Sequence, residues 1–115
     1  MAEVKVVKIE DVQSALPAGH TNTDSWKLVS PDIGANNVVF FVTEMRPGAV
    51  ASKHVHPKSD HVYFILSGRA SMTVGGKSFT VGPHTAVYVP PNTEHETKTV
   101  GTETLRFVVL MAPPP

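Results

Sequence analysis

The sequence predicts an all-β protein, a sandwich or barrel of short strands, and three observations carry that prediction. Val, Thr, Phe and Tyr cluster in short stretches separated by Gly, Pro and Asn, the rhythm of strands and turns in all-β domains. Helical periodicity is nearly absent, and ten prolines fit poorly with helices. Gly75-Gly76 stands between two strand-like runs, a two-residue hairpin signal because both turn positions need positive φ.

Strands are expected over 4–9, 26–30, 38–45, 61–67, 69–74, 78–81, 86–89, 94–100 and 105–111. The first is valine-rich and alternating. As an edge strand it would offer unpaired backbone to a second subunit, so a homodimer is expected. The stretch 11–25 is the least patterned, with room for one short helical turn over 11–16; Trp26 then anchors an early strand. Asp32, Gly34, Asn36 and Asn37 turn the chain before Val38, while Pro31, Pro47-Gly48 and Pro90-Pro91-Asn92 mark sheet edges and loops. Phe41, Tyr63, Met72, Phe107 and Val109 are expected in the core, and Arg46 and Arg106, alternating with apolar neighbours, at the surface. The three closing prolines, 113–115, read as a loose tail.

The length, 115 residues, fits one domain over 1–115, able to bury roughly two-thirds of its unfolded surface without disulfides or a structural metal. Ten Lys plus Arg balance ten Asp plus Glu, which leaves no overall field to draw in nucleic acid or an anionic membrane. No apolar run approaches the ~20 residues of a membrane helix, and the amino terminus lacks the basic-then-apolar order of a signal peptide. A soluble, cytoplasmic protein is the expectation. The absence of cysteine excludes disulfides, thiolate-held zinc and thiol catalysis, and leaves six histidines to explain.

His54 and His56 are one residue apart, so on an extended strand both point to the same face. His61 opens the next apolar strand after the loop 57–60, and two antiparallel neighbours could bring all three rings together; His95 follows Pro90-Pro91-Asn92 at the head of another strand. Imidazoles gathered in an interior cost a few kcal/mol each if their nitrogens find no partner, a cost that a divalent cation removes.

The pattern Gly48, five residues, His54, one residue, His56, four residues, His61, six residues, Gly68, followed by Pro90-Pro91-Asn92-Thr93-Glu94-His95, resembles the two-part signature of the cupin family. In that signature the position of His61 is usually a Glu and that of Asn92 a Gly, whose left-handed backbone Asn tolerates. His84 stands where the family usually has a Gly. The resemblance covers a core of about 38–111, with 1–37 as N-terminal strands and loop and 112–115 as the tail. It implies a small single-domain cupin of type 2: a double-stranded β-helix, or jelly-roll barrel, holding one metal ion through His54, His56, His61 and His95. Four-histidine sites occur in small cupins resembling this one, including manganese proteins with oxidative activity and a zinc-bound aromatic polyketide cyclase type. Asp60 is the rival ligand for His61, but the count back from Gly68 selects His61 and alternation turns Asp60 to the opposite face. His20 and His84 lack such spacing and read as exposed or loop residues, with the pocket rim an alternative for His84.

A dication held by four neutral imidazoles keeps its full charge and should favour anionic oxygen chelates as substrates. Fe, Mn, Zn, Ni and Cu are all candidates; imidazole suits most of them, and affinity order alone disfavours Mn. Tyr63, Phe107 and Phe41 are the candidate pocket residues, and Glu94 and Glu96, flanking His95, should point away from it. The expected function is a mononuclear metal-binding cupin, an oxygen-dependent, dioxygenase-like oxidoreductase acting on a small chelating substrate. The alternatives are a non-redox Lewis-acid isomerase, cyclase or lyase, and a non-catalytic small-molecule binder.

Overall fold

A computed structural model describes residues 3–115. Nine antiparallel strands form two sheets: β1 (Thr23–Val29), β2 (Val39–Met45), β3 (Val50–His54), β4 (Asp60–Ser67), β5 (Arg69–Val74), β6 (Lys77–Val81), β7 (Ala86–Val89), β8 (His95–Val100) and β9 (Leu105–Ala112). One sheet runs β1-β2-β9-β4-β7 and the other β3-β8-β5-β6, a jelly-roll barrel. Between them lie Met45, Ile65, Met72 and Leu105, each at most 1% exposed, with Val89, Phe107 and Val109 alongside. Truncating such side chains to Ala typically costs about 2–5 kcal/mol.

Turn chemistry read from the sequence holds. Gly75 and Gly76 take φ of 55° and 85° between β5 and β6, the geometry that lets a two-residue turn match the strand twist. Asn92 takes φ 57°, as its place in the signature asks, and His84 takes φ 65° itself. The His84 amide donates to Ile65 O at 2.8 Å, which ties this strained turn to β4.

Four expectations need correction. The segment 4–9 is not a strand: Val4 and Val6 are 92% and 88% exposed, and no strand pairs with them. The free edge of β1 is met instead by Ala15, which exchanges both backbone bonds with Ser25. The edge-strand basis for a homodimer therefore falls away. The short helical turn lies at Ile9–Asp11, ahead of the expected 11–16. β3 was not among the expected strands; Ala51, Ser52 and Lys53 are weak strand formers, and pairing with β8 decides their conformation. The tail is tied at its start, since β9 runs to Ala112 and Ser59 Oγ donates to Pro113 O at 2.6 Å. Arg46 and Arg106 lie half-exposed in ion pairs with Asp24 and Glu44.

Candidate metal centre

Antiparallel pairing of β3 with β8 sets His54 directly opposite His95, with ring centroids 4.1 Å apart. His56 lies just beyond β3, on the same side as His54, while Val55 between them is exposed. The His56 carbonyl accepts from Asn92 N at 2.8 Å, so the turn Pro90-Pro91-Asn92 is pinned to the chain that carries the first two histidines. Nitrogens of His54, His56 and His95 all lie within 4.8 Å of one another.

His61 comes from β4, in the opposite sheet. It meets the other rings across the barrel interior, at 5.2 Å from His56 and 5.0 Å from His95, and not as a neighbouring strand of β3 as the sequence suggested. Its ring stacks on Tyr63 at 4.6 Å, and Tyr63 in turn touches Phe107 at 5.4 Å. His61 packs against the close threesome without belonging to it. Asp60 lies outside, where it accepts a 2.7 Å bond from the Tyr88 hydroxyl. Glu94 and Glu96 flank His95 on the side away from the cavity, and Glu94 pairs with Lys53.

Hydrogen bonds prepare these rings differently. His54 Nδ1 donates to Ser52 O at 2.7 Å and His95 Nδ1 to Thr93 O at 2.9 Å, each to the carbonyl two residues back. Both rings are thereby fixed in the tautomer whose Nε2 keeps its lone pair, as ligating histidines require. His95 Nε2 is buried with no partner, and so are both nitrogens of His61. Burial pushes His61 down to about 3, with His95, His56 and His54 adding to the shift. Burial likewise lowers His95, against the pull of the Thr93 carbonyl, and lowers His56. Burial thus favours the neutral form of His61, His95 and His56, the protonation state a cation needs. Orphaned buried nitrogens, fixed tautomers and neutral rings fit a divalent metal ion.

His54, His56 and His61 open onto a cavity of about 180 Å³ that is largely apolar. Phe41, Tyr63 and Phe107, the pocket residues expected from the sequence, all line it, with Val109 and Met111. Burial raises the Tyr63 phenol; Thr97, buried beside it, works against the shift without completing a hydrogen bond. Ser25 and Thr43 also line the cavity and bond each other at 3.0 Å. His84 is exposed, against Phe64 at 6.5 Å, and takes no part in the rim. His20 stands outside the strands, as a loop residue should, but it is half-buried and lines the cavity, 6.4 Å from His54. No sequence signal marked it, because the stretch around it has no strand or helix pattern.

A cupin domain model matches residues 41–111. The chain belongs to the cupin family. This cupin is 27% identical over 107 residues to the polyketide synthase CurC of Streptomyces cyaneus, covering 92% of this chain and 70% of that protein. It is 33% identical over 67 residues to an uncharacterized protein of Methanocaldococcus jannaschii, covering 58% of this chain and 54% of that protein. Among solved structures, the polyketide cyclase RemF from Streptomyces resistomycificus superposes with a TM-score of 0.85 at 27% identity, over 98% of this chain and 83% of that one. A predicted oxalate decarboxylase from Thermotoga maritima superposes at 0.84 and 17% identity, over 96% of this chain and all of that one, a likeness of fold alone. Among the described residues no helix is long and apolar enough to cross a membrane.

Proposed function

We propose that this cupin is a metal-dependent enzyme that holds one divalent ion through His54, His56, His95 and His61 and closes or rearranges a small enolisable oxygen chelate without net oxidation. The observation that carries this reading is the gathering of four imidazoles, three of whose buried nitrogens lack any partner, beside a largely apolar cavity. Similarity over nearly the whole chain to a polyketide cyclase and a polyketide synthase points to a 1,3-diketone-like substrate unit. Bound there, a divalent ion would supply Lewis acidity, its double charge undiminished by any carboxylate ligand.

The protein's own part is positioning and exclusion of water. Ser52 and Thr93 hold His54 and His95 in the ligating tautomer. Tyr63 stacks on His61 and fixes its plane, and Phe107 backs Tyr63. With Phe41 and Val109, these rings keep the surroundings of the substrate dry, which strengthens every charge interaction inside. A cavity of about 180 Å³ admits a chelating fragment, so the rest of a larger substrate stays at the mouth.

An oxygen-dependent, dioxygenase-like oxidation is the second reading. It is favoured by one feature: among the described residues no carboxylate lines the cavity to act as general base. Metal analysis of protein purified from its native host, followed by assay against diketones, thiols and flavonols with and without oxygen, separates the two. Turnover that proceeds anaerobically supports the first reading. Oxygen uptake in step with product supports the second.

A further inference from the structure

Residues 15–21 run between the two sheets and are bonded to both. Ala15 exchanges backbone bonds with Ser25 on β1, at 2.9 Å each way. At the other end Ser52 N donates to Gly19 O and Thr21 N to Val50 O, also at 2.9 Å, on β3. β1 and β3 are the outer strands of their respective sheets, so this strap closes one open seam of the barrel. Between its anchors a turn closes with His20 N donating to Pro17 O at 3.2 Å, and Gly19 supplies the positive φ of 75°.

The strap contributes Pro17, Ala18 and His20 to the cavity wall, and of these only His20 carries polar side-chain atoms. Of the other polar side chains of the wall, Ser25 and Thr43 bond each other, His54 and His56 belong to the close threesome and His61 packs against it, while Thr97 Oγ1 is buried without a partner beside Tyr63. His20 Nδ1 is buried and has no partner, and its ring lies 6.4 Å from that of His54, nearer the centre than any other imidazole outside it. The ring supplies at least one N–H donor at the cavity wall.

We infer that His20 is a substrate-positioning residue, hydrogen-bonding an oxygen of the chelating substrate from the strap, beside the centre that binds it; this rests on the metal-dependent reading above. The strap thus both seals the barrel and supplies a contact that selects for oxygen chelates. The test loads the wild type and the variants His20→Phe and His20→Gln with cobalt(II), measures metal by elemental analysis, and titrates acetylacetonate by the visible absorption of cobalt. Phe keeps the ring's bulk without a hydrogen bond; Gln keeps an N–H at similar reach. Expected are one cobalt per chain in all three, an affinity for acetylacetonate about fivefold weaker in His20→Phe, and rescue to within about twofold in His20→Gln. Equal affinities in all three would overturn the inference, as would loss of cobalt from His20→Phe, since His20 would then be a ligand. A wild type that takes up no cobalt would overturn the reading of the histidine centre itself, and this inference with it.

Discussion

His95 and His61 lie 5.0 Å apart, both buried, and yet the two sheets that carry them prepare them in different ways. On the β3–β8 side the chain bends around each ring, so that Ser52 and Thr93 offer a carbonyl to Nδ1 and one nitrogen is satisfied before any metal arrives. On β4, regular pairing with β7 and β9 leaves no free carbonyl near His61, and both its nitrogens stay unpartnered. The difference separates two functions. One sheet fixes the tautomer of its rings, as the proposed metal site requires, whereas the other holds a ring whose burial is costly until something binds it.

The largest effect should come from breaking the preset side. His95→Ala removes a proposed ligand with a fixed tautomer, and metal affinity should fall by at least about 100-fold, measured by competition with a chelating dye. His61→Ala should also lower metal content; full occupancy in that variant would reduce the centre to His54, His56 and His95.

Acid should act most strongly on the unsatisfied side. The folded state holds His61 at about 3, whereas the unfolded chain protonates it near its ordinary value of 6.5. The stability tied to the neutral ring is therefore complete above pH 6.5 and is lost as pH falls towards 3. At about 1.4 kcal/mol per pH unit, metal-free protein should lose about 2 kcal/mol between pH 6.5 and 5, with His56 and His95 adding in the same direction. Urea melts of the metal-free protein across this range measure the slope.

A smaller effect sharpens the contrast at neutral pH. His61→Leu deletes two orphaned nitrogens from a buried position and should stabilise the metal-free protein by about 1 kcal/mol while flattening its acid slope. His95→Leu also forfeits the Thr93 bond and should give no such gain. If both Leu variants gain equally, the distinction between the two sheets is wrong. Smallest of all should be Asp60→Ala. It breaks an exposed bond to Tyr88, should change stability by less than about 0.5 kcal/mol, and should leave metal content unaltered.

Much of the barrel was legible in the sequence because its signals are local. Alternation marked β4, β5, β8 and β9, paired glycines marked the β5–β6 turn, and one-residue spacing put His54 and His56 on one side. The left-handed turn at Asn92 was readable too, since backbone preference belongs to the residue. What the sequence concealed depends on partners distant along the chain. The apparent strand at 4–9 has suitable residues and no edge to pair with, while β3 has unsuitable ones and gains its conformation from β8. The same holds within the site. The resemblance to the cupin signature named His54, His56, His61 and His95, but only the closure of two sheets decided that His61 approaches from the opposite wall with neither nitrogen satisfied. Only the bonding of the strap to β1 and β3 brought His20 to the cavity. Periodicity and turn preference are written in neighbouring residues, whereas burial and sheet partnership arise from contacts that exist only once the barrel has closed.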